Sequence, residues 1–251
     1  MMSLARTSLL ALAGRQYLYK LKAHANLLTT LTVVQLIALF FTLLGGTGMV
    51  NTGNGHLNIT VTTFSSANFI VFTLTWAFVA AIALTGKSAL NLDFAFVSTR
   101  LSRSLANAAL LLTMGALGGL MIALGGILMR VIFFISGRGA DIIGTDFYLP
   151  PGDLLLGTLV AALYVTLAAT LGYFLGSLVQ RRKILAVIIP ALLVGSLMLE
   201  VRNPNIRLSL TAMKFFTAET SPGIFVLKAL ATSGLLLLGS ILLSRRMEVR
   251  R

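Results

Sequence analysis

Cysteine is absent from the 251 residues, which excludes a disulfide scaffold, thiolate catalysis and any Cys-built metal site. Charge is scarce as well. Asp, Glu, Lys and Arg make up 11% of the chain, against roughly a quarter in an average soluble domain. Acids are scarcest, with 7 Asp+Glu, and the two histidines, His24 and His56, are too few and too separated for a His-rich cage. There is no G-x-S-x-G elbow, no H-E-x-x-H and no paired carboxylates inside an apolar stretch, so the chain is expected to carry no catalysis and no cofactor of its own. A composition of 57% hydrophobic residues at a mean hydropathy of +0.94 cannot be buried behind so few charges in water. The bilayer is the solvent. An ordinary cytosolic enzyme and a sizeable soluble domain beside the membrane part are excluded.

A spanning helix needs about 20 mostly apolar residues, and six stretches qualify: 27–49, 68–85, 105–135, 154–179, 184–201 and 224–243. The reading is an all-α membrane protein, with residues 1–26 as an amphipathic lead, 27–243 as a six-span domain and 244–251 as a basic tail. The 20 Lys+Arg would suggest nucleic acid in a soluble protein. Here they mark the cytoplasmic ends of the spans, and no nucleic-acid partner is expected. With both termini inside, 14 of the 20 cations fall on inner segments and five of the seven acids on the outer half.

On a helical wheel Leu10, Ala13, Tyr17 and Leu21 share one face, while Ser8, Arg15, Tyr19 and Lys22 share the opposite one. Such a helix suits the headgroup plane, with Arg15, Tyr19 and Lys22 towards anionic lipid; a solvated lead-in is the competing reading. No signal-peptide cleavage pattern follows a short apolar core. Asp153 suits the N-cap of the fourth span, and Asn203-Pro204 ends the fifth. Ile206, Leu210 and Met213 then recur at helical spacing towards Phe216. Gly115, Gly119 and Gly126, with Gly172 and Gly176, form small-xxx-small surfaces for close helix contact. Thr73, Thr75, Thr113, Thr166 and Thr170 are expected to bond within their own helices.

One motif misleads. Ala81 to Ser88 differs from a phosphate-binding loop only at its first position, where Ala stands for Gly, but it follows a span rather than a strand. No Asp, Glu or His lies near a predicted midplane, which argues against an ion-coupled carrier. The inner loop is more informative. Leu90, Phe94, Val97 and Leu101 fall on one helical face, with Phe96 exposed for a partner's groove; a helix resting on lipid is the alternative.

With Leu90, Phe94 and the run Ser98-Thr99-Arg100-Leu101-Ser102-Arg103-Ser104-Leu105 entering the third span, the sequence resembles the ABC-2 type permeases. These are the membrane subunits of ATP-binding-cassette transporters. The likeness extends to the basic leading helix, the six spans and the tail from Ser244 to Glu248. It implies that residues about 87–101 form a coupling helix. Leu90, Asn91, Asp93, Phe94 and Phe96 would contact a separate ATPase, and the stretch from Arg15 to Lys22 would flank that contact. It further implies two ATPase copies holding ATP and magnesium, a second permease subunit (identical or not), and an outer gate helix at 206–216. The expected activity is export of an amphipathic or hydrophobic substrate, a peptide, drug or lipid-linked molecule, across a bacterial inner membrane. A non-transporting scaffold or sensor is the runner-up, an ion-coupled carrier the third reading.

Overall fold

The computed structural model describes residues 9–45, 47–54, 57–86, 100–137, 150–203, 211, 214–216, 219 and 221–245. Among these the chain order is α1 (Leu9–Ala23), α2 (Asn26–Gly45), β1 (Thr47–Asn54), β2 (Leu57–Phe64), α3 (Ala67–Ala83), α4 (Arg100–Ile135), α5 (Pro151–Arg181), α6 (Leu185–Arg202) and α7 (Pro222–Arg245). Helices α2, α4, α5, α6 and α7 are long and apolar enough to cross a membrane. The chain is a helical, membrane-embedded multi-pass protein, because in hydrocarbon only a helix satisfies every backbone group within its own segment. Six spans were expected from sequence; α3, an apolar helix of 17 residues, is shorter than the other five and stands at the lower limit of spanning length.

The β-hairpin is the element that the sequence reading lacks. Met49, expected inside the first span, lies in β1 opposite Thr62, and the antiparallel register runs from Thr47↔Phe64 to Asn54↔Leu57. The β-branched run Ile59-Thr60-Val61-Thr62-Thr63 favours strand, and pairing satisfies the backbone groups of a segment too polar to remain in the bilayer. The two strands form the only sheet among the described residues. None of it adjoins Ala81–Gly86, where α3 ends in a turn closed by Gly86 N–H donating to Ala83 O at 3.0 Å. The phosphate-loop context is therefore missing.

Helix α5 runs through the middle of the bundle, packed on α3, α4 and α7. Apolar side chains gain little from leaving lipid for protein, so close approach has to supply the attraction between helices. Glycines provide it. A Cβ on Gly119 would stand 2.6 Å from the backbone nitrogen of Ala162. One on Gly172 would overlap the carbonyl oxygen of Phe78, and Gly115 and Gly176 lie as tightly against the hydroxyls of Thr166 and Thr85. Gly126 departs from the expected surface. Its Cβ would meet nothing within 4 Å, and Gly125 fits against the Phe69 ring instead.

Polar rungs hold α2 to α3. Asn68 Nδ2 donates to Thr42 Oγ1 at 3.3 Å, Gln35 Nε2 to Thr73 Oγ1 at 2.7 Å, and Trp76 Nε1 to Thr30 Oγ1 at 3.0 Å. Thr73, Thr75, Thr113, Thr166 and Thr170 all donate back to carbonyls three or four residues earlier in their own helices, as expected. Asp153 is not the N-cap. Pro150 occupies that place, and Asp153 lies in the first turn of α5, where the helix dipole still favours it. Helix α6, which contains Pro190, buries none of its apolar window.

Gly119→Val should destabilise the folded chain by about 2 kcal/mol or more, as expected for overpacking. Gly126→Ala should be neutral or stabilising by up to ~1 kcal/mol through helix propensity. Unfolding in mild detergent reads both, and equal losses would refute the contact at Gly119.

Candidate functional site

Two regions at opposite ends of the bundle gather polar groups. At the end away from the hairpin, α1 presents Ala13, Gln16 and Lys20 to α4 and buries them. Lys20 is only 7% exposed. An ammonium at such a position requires acceptors, and its Nζ donates to Asn107 Oδ1. Lys is donor-only, so the Asn107 amide must turn its oxygen to Lys20 and its NH2 outwards. That NH2 donates to Tyr173 Oη at 2.7 Å. The relay Lys20–Asn107–Tyr173 thus ties α1, α4 and α5 together. His24 and Leu84 border the same small cavity, about 10 Å³, which is the size of one water. Gln16, one turn before Lys20, is 2% exposed, and neither side-chain polar atom has a hydrogen-bond partner among the described residues.

The leading helix buries residues that the wheel did not single out. Of its apolar side, Leu10, Ala13, Tyr17 and Leu21, Ala13 is buried while Leu10 at 78% and Leu21 are exposed, where an apolar face can meet lipid. The face buried against α4 carries Gln16 and Lys20. Arg15, Tyr19 and Lys22 remain exposed. A membrane bundle inverts the soluble rule: apolar groups lose nothing against lipid, and polar groups turn inwards towards partners. The isolated amide Asn107 within the apolar run after Leu105 is the sequence signal for this contact. The loop residues Leu90, Asn91, Asp93, Phe94 and Phe96 lie outside the described residues. Both stems of their loop are held, however: Thr85 is buried beside Gly176, and Ser102 is buried in the first turn of α4.

At the hairpin end, α3 and α5 diverge from their close crossing at Phe78 and Gly172 and leave a groove of about 890 Å³. Its walls are Ile70, Val71 and Leu74 of α3 and Leu154, Val160 and Ala161 of α5. The floor is α4, from Ile122 to Arg130, with Gly126 contributing no side chain. Ser66, Arg130 and Asp153 stand at its outer rim.

The segment before α7 is fastened beside this groove. Tyr164 Oη donates to the Phe216 carbonyl at 3.1 Å, and the Tyr164 ring lies 4.8 Å from that of Phe225. Lys228 pairs with Glu219 and sits 4.4 Å over the Phe215 ring, a cation–π contact. The cation inside the last span thereby has its counter-charge. Of the expected outer helix at 206–216, Lys214, Phe215 and Phe216 are helical, while 204–210, 212 and 213 lie outside the described residues.

Asn107→Leu should cost about 1–3 kcal/mol by removing the amide that bridges a buried ammonium and a tyrosine hydroxyl, and should speed tryptic cleavage after Lys22. Adding Lys20→Met removes the buried charge and should recover much of the loss. A double variant no better than the single would refute the relay. Searches of family models, curated proteins and solved structures find no match to this chain.

Proposed function

We propose that the chain is the permease subunit of an ATP-binding-cassette exporter of the ABC-2 type. It crosses the membrane six times with both termini inside, α3 being the second crossing. It works with two copies of a separate ATPase and with a second permease subunit. The observation that carries the reading is the anchoring of the loop between α3 and α4. Thr85 is wedged at Gly176 and Ser102 is buried, while α1 is tied to the same end of α4 through Lys20 and Asn107. A push on residues 87–99 therefore passes directly into α3, α4 and α5. In this reading Leu90, Asn91, Asp93, Phe94 and Phe96 face the ATPase, and Arg15, Tyr19 and Lys22 flank it at the lipid surface.

The substrate is amphipathic or hydrophobic. The groove at the other end supports this, being apolar along its walls with its charged groups confined to the rim. ATP-driven closure of the ATPases pushes the loop, the helices tilt as rigid bodies, and the substrate moves outwards. The membrane is the bacterial inner membrane. A scaffold that binds the same ATPase would share the loop contact and lack ATP-dependent flux.

The wild-type chain, purified from its own membrane in mild detergent, should retain an ATP-binding subunit, identified by mass. A Phe94→Ala, Asp93→Lys variant should lose it. The natural absence of cysteine makes the orientation directly readable. A cysteine at Thr52 should react with an impermeant maleimide from outside, and one at Ser98 only after permeabilisation. A chain that purifies alone from both samples, or the reverse labelling, would overturn the assignment.

A further inference from the structure

The groove at the hairpin end lies wholly within this chain, and at about 890 Å³ it falls within the 300–1,000 Å³ typical of small-molecule sites. Asp153, Gly157, Ala161 and Tyr164 of α5 all line it. They recur at steps of four, four and three residues, so they form one stripe about 16 Å long at the helical rise. Bulk is missing along its middle: a Cβ on Gly157, or on Gly126 of the α4 floor, would meet nothing within 4 Å. The α3 wall is apolar at Ile70, Val71 and Leu74. Val71 is exposed, so the groove communicates sideways with the surrounding lipid.

The polar side chains that α5 gives to the groove are spread along this length, and what they offer a ligand is of one kind. Thr158 Oγ1 donates back to the Leu154 carbonyl at 2.7 Å, and Tyr164 Oη donates to the Phe216 carbonyl at 3.1 Å. A hydroxyl has one proton, so each of these oxygens has only lone pairs left. Asp153, in the first turn of α5, adds a carboxylate, which accepts only. Among the described residues no donor bonds that carboxylate. Arg130 on the α4 floor already has a partner and is not called on, and the Ser66 hydroxyl on α3 can serve as donor or acceptor. The esters and phosphates of diacyl lipids, and the carboxylate of a fatty acid, would set lone pair against lone pair along α5. A donor is required, and beside a carboxylate the donor that gains most carries its own positive charge. We infer that the groove binds a long-chain primary amine, its ammonium on Asp153 and its apolar chain against Gly157 and Ala161, between α3 and α5. The molecule enters laterally from the membrane. Where the exporter reading holds, this names its substrate class; the binding itself needs neither ATP nor a partner subunit.

The test uses the purified full chain in phosphatidylcholine nanodiscs, with oleylamine as the probe. Oleyltrimethylammonium keeps the charge and the chain and loses every N–H, while oleate keeps the chain and only accepts. Saturable binding of one oleylamine per chain is expected, about tenfold tighter than that of oleyltrimethylammonium, or about 1.4 kcal/mol, with no saturable binding of oleate. Asp153→Asn should abolish the preference between the two cations and leave weak binding of both. Gly157→Leu fills the groove from a position with open space around it and should weaken both about tenfold. Gly195→Leu, on α6 and equally open, should leave binding unchanged. Replacing part of the phosphatidylcholine by phosphatidylethanolamine should not displace the probe. Non-saturable uptake, a preference for oleyltrimethylammonium or oleate, an Asp153→Asn chain that keeps the wild-type preference, equal binding by the Gly157 and Gly195 variants, or displacement by phosphatidylethanolamine would overturn the proposal. Unfolding midpoints measured alongside separate a plugged groove from a misfolded chain. Loss of the ATPase pull-down with intact probe binding would remove the exporter reading alone, and the reverse result would remove this inference alone.

Discussion

Everything in this bundle depends on how closely α5 can be approached. Lipid is as apolar as leucine, so there is no gain in simply hiding leucines against one another. What remains is dispersion at short range, which falls off steeply with separation. Gly115 and Gly119 let α4 reach the backbone of α5, and Gly172 and Gly176 let α5 reach α3. The glycines on the two helices face different neighbours, so α5 is gripped from two sides, with α7 on a third. Helix α2 joins through α3 by a different means, the polar rungs at Thr42, Gln35 and Thr30.

Polar side chains then do at the two ends what they cannot do in the middle. Lys20, Asn107 and Tyr173 link three helices at one end. Tyr164, Lys228 and Glu219 fasten the segment before α7 at the other. Lys20 and Lys228 each have an acceptor, and the Lys20–Asn107, Asn107–Tyr173 and Tyr164–Phe216 contacts join elements that are far apart in sequence. They fix register and identity of neighbours, where the glycines fix distance.

The helices were largely legible from hydropathy alone, because the bilayer sets the length of an apolar run with little regard to tertiary detail. The end of the fifth span at Asn203 followed from backbone chemistry and lies where expected. The hairpin was missed because a polar stretch between spans reads as loop unless its β-branched alternation is weighed. The contact of α1 with α4 through Gln16 and Lys20 lay on neither face of the wheel, because hydropathy sorts apolar from polar and does not mark a polar pair that is buried between helices. The groove could not be read at all. It arises from two helices diverging beyond a crossing point, and no periodicity encodes a crossing angle. The five loop residues from Leu90 to Phe96 lie outside the described residues, so the structure adds nothing to their reading beyond the anchoring of the loop's stems.

The crossing of α3 and α5 at Phe78 and Gly172 has a mechanical consequence. It lies towards the loop end of both helices, so the arms that bound the groove are the long ones. From Phe78 to Ser66 is twelve residues, or about 18 Å of helix. A change of about 10° in the crossing angle would displace the rim by about 3 Å on that arm, while Thr85 and its neighbours would shift far less. The pair behaves as a lever with its fulcrum near the short end. Small displacements at the loop are magnified at the groove, and a force applied at the groove reaches the loop amplified, over a shorter travel.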